Sequence, residues 1–153
     1  MNSLRIAIGC DHRGFELKQT IMPFIQELGY SCHDFGCYDT KPVDYPDIAR
    51  EVAKAVASGD FDQGILICST GIGMSIAANK ITGIRAALCY DTFTAQRARQ
   101  HNDANILCLR GENVKTSLIL EIVKTYLSAD FGTDRHIRRI NKIEALEADL
   151  SAS

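Results

Sequence analysis

The chain has 153 residues, 46% of them hydrophobic and 24% charged, with no Trp and three Pro, the profile of a single domain long enough to bury most of the surface its unfolded form exposes. Seventeen Lys and Arg against nineteen Asp and Glu leave a net charge of -2, so the basic excess that nucleic-acid binding or a polybasic membrane anchor needs is missing. No apolar run approaches the ~20 residues of a membrane span, and the start MNSLRIAIGC lacks the ordered regions of a signal peptide, so a cytoplasmic protein is expected.

In chain order, the first apolar run covers residues 4–8. Leu17, Ile21, Phe24, Ile25 and Leu28 then mark one face of a helix, with Pro23 inside it, where a proline removes a backbone bond and is expected to kink or break the helix. A second run at residues 31–35 is followed by Asp44-Tyr45-Pro46-Asp47, a helix start with proline at the opening position and an acid in the first turn. Ile48, Val52, Ala55 and Val56 mark the face of that helix.

Three more runs occupy residues 64–68, 85–89 and 105–109, and a helical face at Leu118, Ile122, Val123 and Leu127 follows the last of them. Short runs that are apolar on both sides, alternating with amphipathic helices, predict a doubly wound α/β domain built on a five-stranded parallel sheet over residues 1–153. Phe131-Gly132-Thr133 breaks the pattern, and a last helix is predicted over about 134–149, with Ile137, Ile140, Ile143 and Leu146 in a stripe. No strand follows to fold that stripe onto the sheet, so the segment from about residue 131 to 149 is expected to pack on a partner subunit in a homodimer.

Cys10, Cys32, Cys37, Cys68, Cys89 and Cys108 form no C-x-x-C pair, which argues against a zinc knuckle or a thioredoxin-type couple and for reduced thiols. His12 beside Asp11 has no second histidine at ligand spacing, so no metal site is expected. Ligands of open parallel sheets bind beyond the carboxyl ends of the strands. The polar clusters there are Gly9 to Gly14, Cys68 to Gly73, and Asp91-Thr92, suited by their glycines and helix starts to an anion. Neither a P-loop nor a dinucleotide fingerprint is present: Met74-Ser75-Ile76 follows Gly73, and Lys80 lies too far on. A small phosphorylated metabolite fits better than a nucleotide.

The residues in these clusters admit two readings each. Cys68 is either a buried strand-end thiol or a nucleophile or base activated by the helix start. Thr70 either caps a helix or moves a proton. His101, in Arg99-Gln100-His101-Asn102-Asp103, is either a helix-end cation or an acid–base catalyst. Arg135, His136, Arg138 and Arg139 are either a solvated face or a phosphate clamp, since Arg135 and Arg139 share one face of a helix.

Taken together, IAIGCDHRGFELK, DYPDIA, ILICSTGIGMSIAANKITGIRAALC, RQHNDANILCL and DRHIRRI resemble ribose-5-phosphate isomerase type B and its relatives that isomerise allose or galactose 6-phosphate, over almost the whole chain. The resemblance implies interconversion of ribose 5-phosphate and ribulose 5-phosphate without a cofactor, through an enediolate. It makes Cys68 the base between C1 and C2 and Thr70 the hydroxyl serving the two oxygens. The N–H groups of Gly71, Ile72, Gly73 and Met74 become the anion hole, and His101 the ring-opening group with Asp11 assisting. Tyr45 and Asn102 would line the sugar site. His12, with Arg135 and Arg139 of a partner subunit, would hold the phosphate.

Two positions depart from the family pattern. Ser69 stands where the family usually has Gly, and Glu112 where it commonly has an arginine of the phosphate environment; Arg110 is the candidate replacement. A carboxylate beside a phosphate is repulsive, so Glu112 is expected to point away or the contact to be rearranged. A six-carbon sugar phosphate, a non-catalytic phosphate-binding module and a thiol redox protein are the competing readings.

Overall fold

A computed structural model describes residues 3–152. Its elements run β1 (Arg5–Cys10), α1 (Phe15–Glu27), β2 (Ser31–Asp34), α2 (Tyr45–Ala57), β3 (Gln63–Cys68), α3 (Ile72–Ala78), β4 (Ala86–Leu88), α4 (Thr92–Gln100), β5 (Ile106–Arg110), α5 (Thr116–Ser128) and α6 (Asp134–Ala152). The five strands form one sheet in the order β2-β1-β3-β5-β4, and every pairing is parallel. The α/β architecture expected from the alternating runs is therefore present. Among the described residues, no helix is long and apolar enough to cross a membrane.

Period-two alternation divides the core into two layers. Ile6, Ile8 and Cys10 of β1 face one way with Ile21 and Ile25 of α1 and Ile122 and Val123 of α5. Ala7 faces the other way with Val52 and Val56 of α2 and Met74 and Ala78 of α3. β3 is buried along its whole length, whereas β2 and β4 at the sheet edges are half-buried or alternate. The apolar runs at residues 31–35 and 85–89 are thus edge strands, only partly covered by the two core layers.

Two local expectations, at Pro23 and at the start of α2, meet different outcomes. α1 continues through Pro23 instead of breaking there; Pro23 is exposed, so its ring projects to solvent and costs one backbone bond without disturbing the packed face. α2 starts as the sequence indicated, with Asp44 at the cap and Pro46 in the first turn. Lys18 lies on the buried side of α1, fully enclosed. Its ammonium donates to Asp34 Oδ1 at 2.6 Å and to the Cys37 carbonyl, pairing a charge that would otherwise be costly to bury.

The last helix reaches Ala152. His136 and Ile140 are buried, while Ile137, Ile143 and Leu146 remain exposed. α6 contacts its own chain beside β4, where Glu147 accepts the Gly83 N–H at 3.2 Å and Glu144 lies 3.8 Å from Arg85. Part of the apolar stripe is covered within the protomer and part is left open.

The order of the strands fixes where a ligand can sit. From β1 the chain steps outward to β2 and then returns to the other side at β3. The loops after β1 and β3 diverge at this switch point and open a crevice at the carboxyl edge.

Candidate active site

Beyond β1, the Asp11 N–H donates to the Ile67 carbonyl at 3.1 Å, and Asp11 Oδ1 accepts the Arg13 N–H at 2.9 Å. The carboxylate is 6% exposed. Gly14 closes the turn: a Cβ there would lie 2.6 Å from Ile67 Cγ2, so the β1 loop can approach β3 this closely only with glycine. His12 Nδ1 accepts the Val43 N–H at 3.3 Å, which leaves Nε2 as the nitrogen that carries the proton in the neutral ring. Val43, in the loop before α2, gives no sequence signal for this contact.

Beyond β3, Cys68 ends the strand with its Sγ facing the Gly71 N–H at 3.2 Å. Gly71 adopts a left-handed conformation, φ +80°, and an added Cβ would fall 2.7 Å from Leu88 Cδ1. Thr70 Oγ1 accepts the Ile72 N–H at 3.1 Å, so the hydroxyl organises the turn and still has its own hydrogen to donate. The helix cap itself is Gly71. Two of the four N–H groups from Gly71 to Met74 are therefore spent inside the protein, on Cys68 and Thr70. Gly73 and Met74 sit in the first turn of α3, whose N–H groups have no partner within the helix.

Asp11, His12, Tyr45, Cys68, Thr70 and Gly73 line one cavity of about 490 Å³. Tyr45, at the start of α2, is placed over α3 by Gly73: a Cβ there would be 2.6 Å from Tyr45 Cζ. Asp91, by contrast, caps α4 through a reciprocal pair with Thr94, at 2.7 Å to the Thr94 N–H. The third polar cluster thus serves the helix and does not line this cavity.

Both departures from the family pattern lie beside the crevice and touch. Ser69 Oγ donates to Glu112 Oε2 at 2.8 Å, and Arg13 donates to Glu112 Oε1 at 2.8 Å. Arg13 and Ser69 hold the Glu112 carboxyl below the usual carboxylate range. Glu112 is thereby answered by a cation of its own protomer, a contact its sequence neighbours do not reveal. Arg110 lies on the other flank, lining with Thr70 and Tyr90 a smaller cavity of about 300 Å³.

His101, Asn102, Arg135 and Arg139 are elsewhere. His101 caps the end of α4, and its ring stacks on His136 at 4.2 Å between centroids. Gly132 donates to the Gln100 carbonyl at 3.0 Å, fixing the start of α6 against this helix end. The group lies at the amino end of β5, because α4 runs back antiparallel to the strands. Cys68 pairs with Arg110 at the carboxyl end of β5. A strand of this length separates the two by at least ~13 Å at ~3.3 Å per residue. Arg135 and Arg139 are exposed, and neither forms an ion pair among the described residues.

Comparison with known proteins finds relatives in both sequence and fold. A family model described as Ribose/Galactose Isomerase matches residues 6–143. Ribose-5-phosphate isomerase B of Escherichia coli is 46% identical over 143 residues, 94% of this chain and 96% of that protein. The structure of Clostridium thermocellum ribose-5-phosphate isomerase B superposes with a TM-score of 0.94 at 48% identity, covering 96% of this chain and 99% of the other. That of Mycoplasma genitalium ribose-5-phosphate isomerase B with bound ribulose 5-phosphate gives 0.91 at 43% identity, with 97% and 99% covered. With the fold and nearly the whole length of the sequence held in common, the chain belongs to the ribose/galactose isomerase family.

Proposed function

We propose that the chain interconverts D-ribose 5-phosphate and D-ribulose 5-phosphate by moving a proton between C1 and C2 through an enediolate, with protein groups and no cofactor. The observation that carries this reading is the single cavity holding the Cys68 sulfur, the Thr70 hydroxyl and the Asp11 carboxylate. In the open-chain aldose, Cys68 as thiolate takes the proton from C2 and returns it to C1. Thr70 passes the proton between O1 and O2. Negative charge that develops on those oxygens meets the N–H groups of Gly73 and Met74, donors already fixed in direction. A single preorganised donor of this kind lowers the barrier by about 3 kcal/mol.

Ring opening and phosphate binding fall to a second copy. His101 as acid–base group, Asn102 at the sugar, and Arg135 and Arg139 at the phosphate lie at the far end of the sheet from Cys68, so one chain cannot bring both halves to one sugar. A two-fold dimer repeats the same pairing and builds two equal sites. Ile72 and Ile76 are exposed in the wall of the crevice and Tyr90 in that of the smaller cavity beside it, an apolar rim that the second copy would cover. His12, with its Nε2 proton, joins the partner's arginines at the phosphate. Six free thiols fit a reducing cytoplasmic setting.

The test is conversion of ribose 5-phosphate by protein treated with a chelator, beside Cys68→Ala. Activity is expected to survive chelation and to vanish in the variant. Full activity in Cys68→Ala would remove the base. Faster turnover of allose 6-phosphate than of ribose 5-phosphate would move the assignment to the six-carbon substrate.

A further inference from the structure

Three loops meet at Glu112. Its Oε2 takes the Ser69 hydroxyl and its Oε1 the Arg13 guanidinium, each at 2.8 Å. Arg13 in turn donates its backbone N–H to Asp11 Oδ1 at 2.9 Å, and Ser69 separates Cys68 from Thr70. Beneath the carboxylate, Gly111 donates to the Cys68 carbonyl at 2.8 Å. A Cβ on Gly111 would lie 2.9 Å from the Arg13 carbonyl oxygen and 3.3 Å from that of Cys68, so the three backbones are already at closest approach. Arg110 Nε donates to the Glu112 carbonyl at 3.0 Å, holding the turn that aims the side chain.

We propose that Glu112 is a positioning residue, which clasps Ser69 to Arg13 and so sets the spacing between the segment bearing Cys68 and Thr70 and the segment bearing Asp11. This rests on the reading of Cys68 and Thr70 as the proton-transfer pair. Arg13 and Glu112 are both substantially exposed, with side chains 57% and 37% accessible, and an exposed ion pair contributes little to stability. The effect of the clasp is therefore on geometry. A displacement near 1 Å at reacting groups costs up to ~100-fold in rate. The shift in the Glu112 carboxyl has the same origin: paired with Arg13 and Ser69, it stays ionised through the neutral range. A serine between the two catalytic positions is accommodated because its hydroxyl is drawn to Glu112 and away from the sugar.

The experiment compares Glu112→Ala, Glu112→Gln, Ser69→Ala and the Ser69→Ala/Glu112→Ala double variant, each assayed for kcat and KM with ribose 5-phosphate, with Cys68→Ala alongside. Glu112→Ala is expected to lower kcat about tenfold while KM moves less than about twofold, the signature of lost alignment in the transition state. Glu112→Gln keeps an oxygen for Arg13 and an amide for Ser69, and is expected to recover most of the loss. Ser69→Ala should cost nothing further once Glu112 is gone, since the two act through one contact. An unchanged kcat in Glu112→Ala, a rise in KM alone, or independent losses in the double variant would each overturn the clasp. Cys68→Ala separates the two claims: if it is inactive while Glu112→Ala is normal, the clasp fails alone; if it is fully active, the proton-transfer reading fails and takes the clasp with it.

Discussion

His101 and His136 stack ring on ring, 4.2 Å between centroids and 17° from parallel, at the end of the sheet remote from Cys68. The stack joins the end of α4 to the first turn of α6, so the histidine and the arginines proposed for ring opening and phosphate lie at one end of the molecule. Inactive Cys68→Ala and inactive Arg135→Ala subunits, mixed in equal amounts and allowed to exchange, should therefore regain activity. Half the dimers are then mixed and each has one intact site, so about a quarter of the parental activity is expected. No recovery after demonstrated exchange would place both halves in one chain.

Ring opening separates from isomerisation by direction of assay. Ribose 5-phosphate closes to a furanose, whereas ribulose 5-phosphate has no free hydroxyl at C5 and stays open. His101→Asn removes the acid–base group, a loss of about a hundredfold or more. That loss is expected for ribose 5-phosphate, with a much smaller one when turnover starts from ribulose 5-phosphate. Equal losses in both directions would make His101 part of the proton-transfer step itself.

The sheet and the loops of the candidate site were largely legible in the sequence because their signals are local. Runs such as residues 64–68 are apolar on both faces only when a strand is buried on both, and Gly71 sits where crowding against Leu88 and the Leu109 backbone admits no side chain. Contacts between distant segments were not legible. Glu112 could be seen as misplaced beside a phosphate, but its bond to Arg13, 99 residues away, depends on β5 lying next to β3 and not next to β4 alone. The buried Lys18 was hidden for the same reason: its partner Asp34 ends the neighbouring strand. Even the separation of His101 from Cys68 follows only from the direction in which α4 returns, which no motif encodes.

Gly73 and Tyr45 offer a steric test of the sugar site. An added Cβ at position 73 would stand 2.6 to 3.0 Å from Tyr45 Cζ, Cε2 and the hydroxyl oxygen. The ring is the free end of a side chain and is 39% exposed, so Gly73→Ala should fold and push the ring aside. If Tyr45 lines the sugar, KM for ribose 5-phosphate rises several-fold, and Tyr45→Ala reproduces the rise without adding to it in the double variant. A normal KM in Gly73→Ala would remove Tyr45 from the site.

The six thiols should differ sharply in reactivity. Burial pushes Cys10 and Cys32 up to about 12 and Cys89 up to about 11, and raises Cys108 as well. At pH 8 such thiols are ionised to about one part in a thousand or less, and the thiolate is the reactive form. Cys68 alone among the six lines the crevice. Brief treatment with iodoacetamide, read by peptide mass spectrometry, is expected to place the first adduct on Cys68 and to abolish activity in step, with ribulose 5-phosphate protecting. Early modification of Cys10 or Cys32, or labelling indifferent to the sugar phosphate, would contradict the assignment.

His136 should make stability fall on mild acidification. Burial first, then His101, Arg135 and Arg139, hold its imidazole below the ordinary value of 6.5. As pH falls through about 6.5, the unfolded chain binds a proton at this residue while the folded one does not, so the unfolded state gains and stability declines. The decline ends once pH passes below the folded value, and above 6.5 the residue contributes no pH dependence. His136→Phe keeps a flat ring for His101 to stack on but cannot take the proton. Urea denaturation at pH 7.5, 6.5 and 5.5, at one fixed protomer concentration, is expected to give a smaller loss of stability in the variant over that range. An identical pH slope in the two proteins would show that His136 titrates freely.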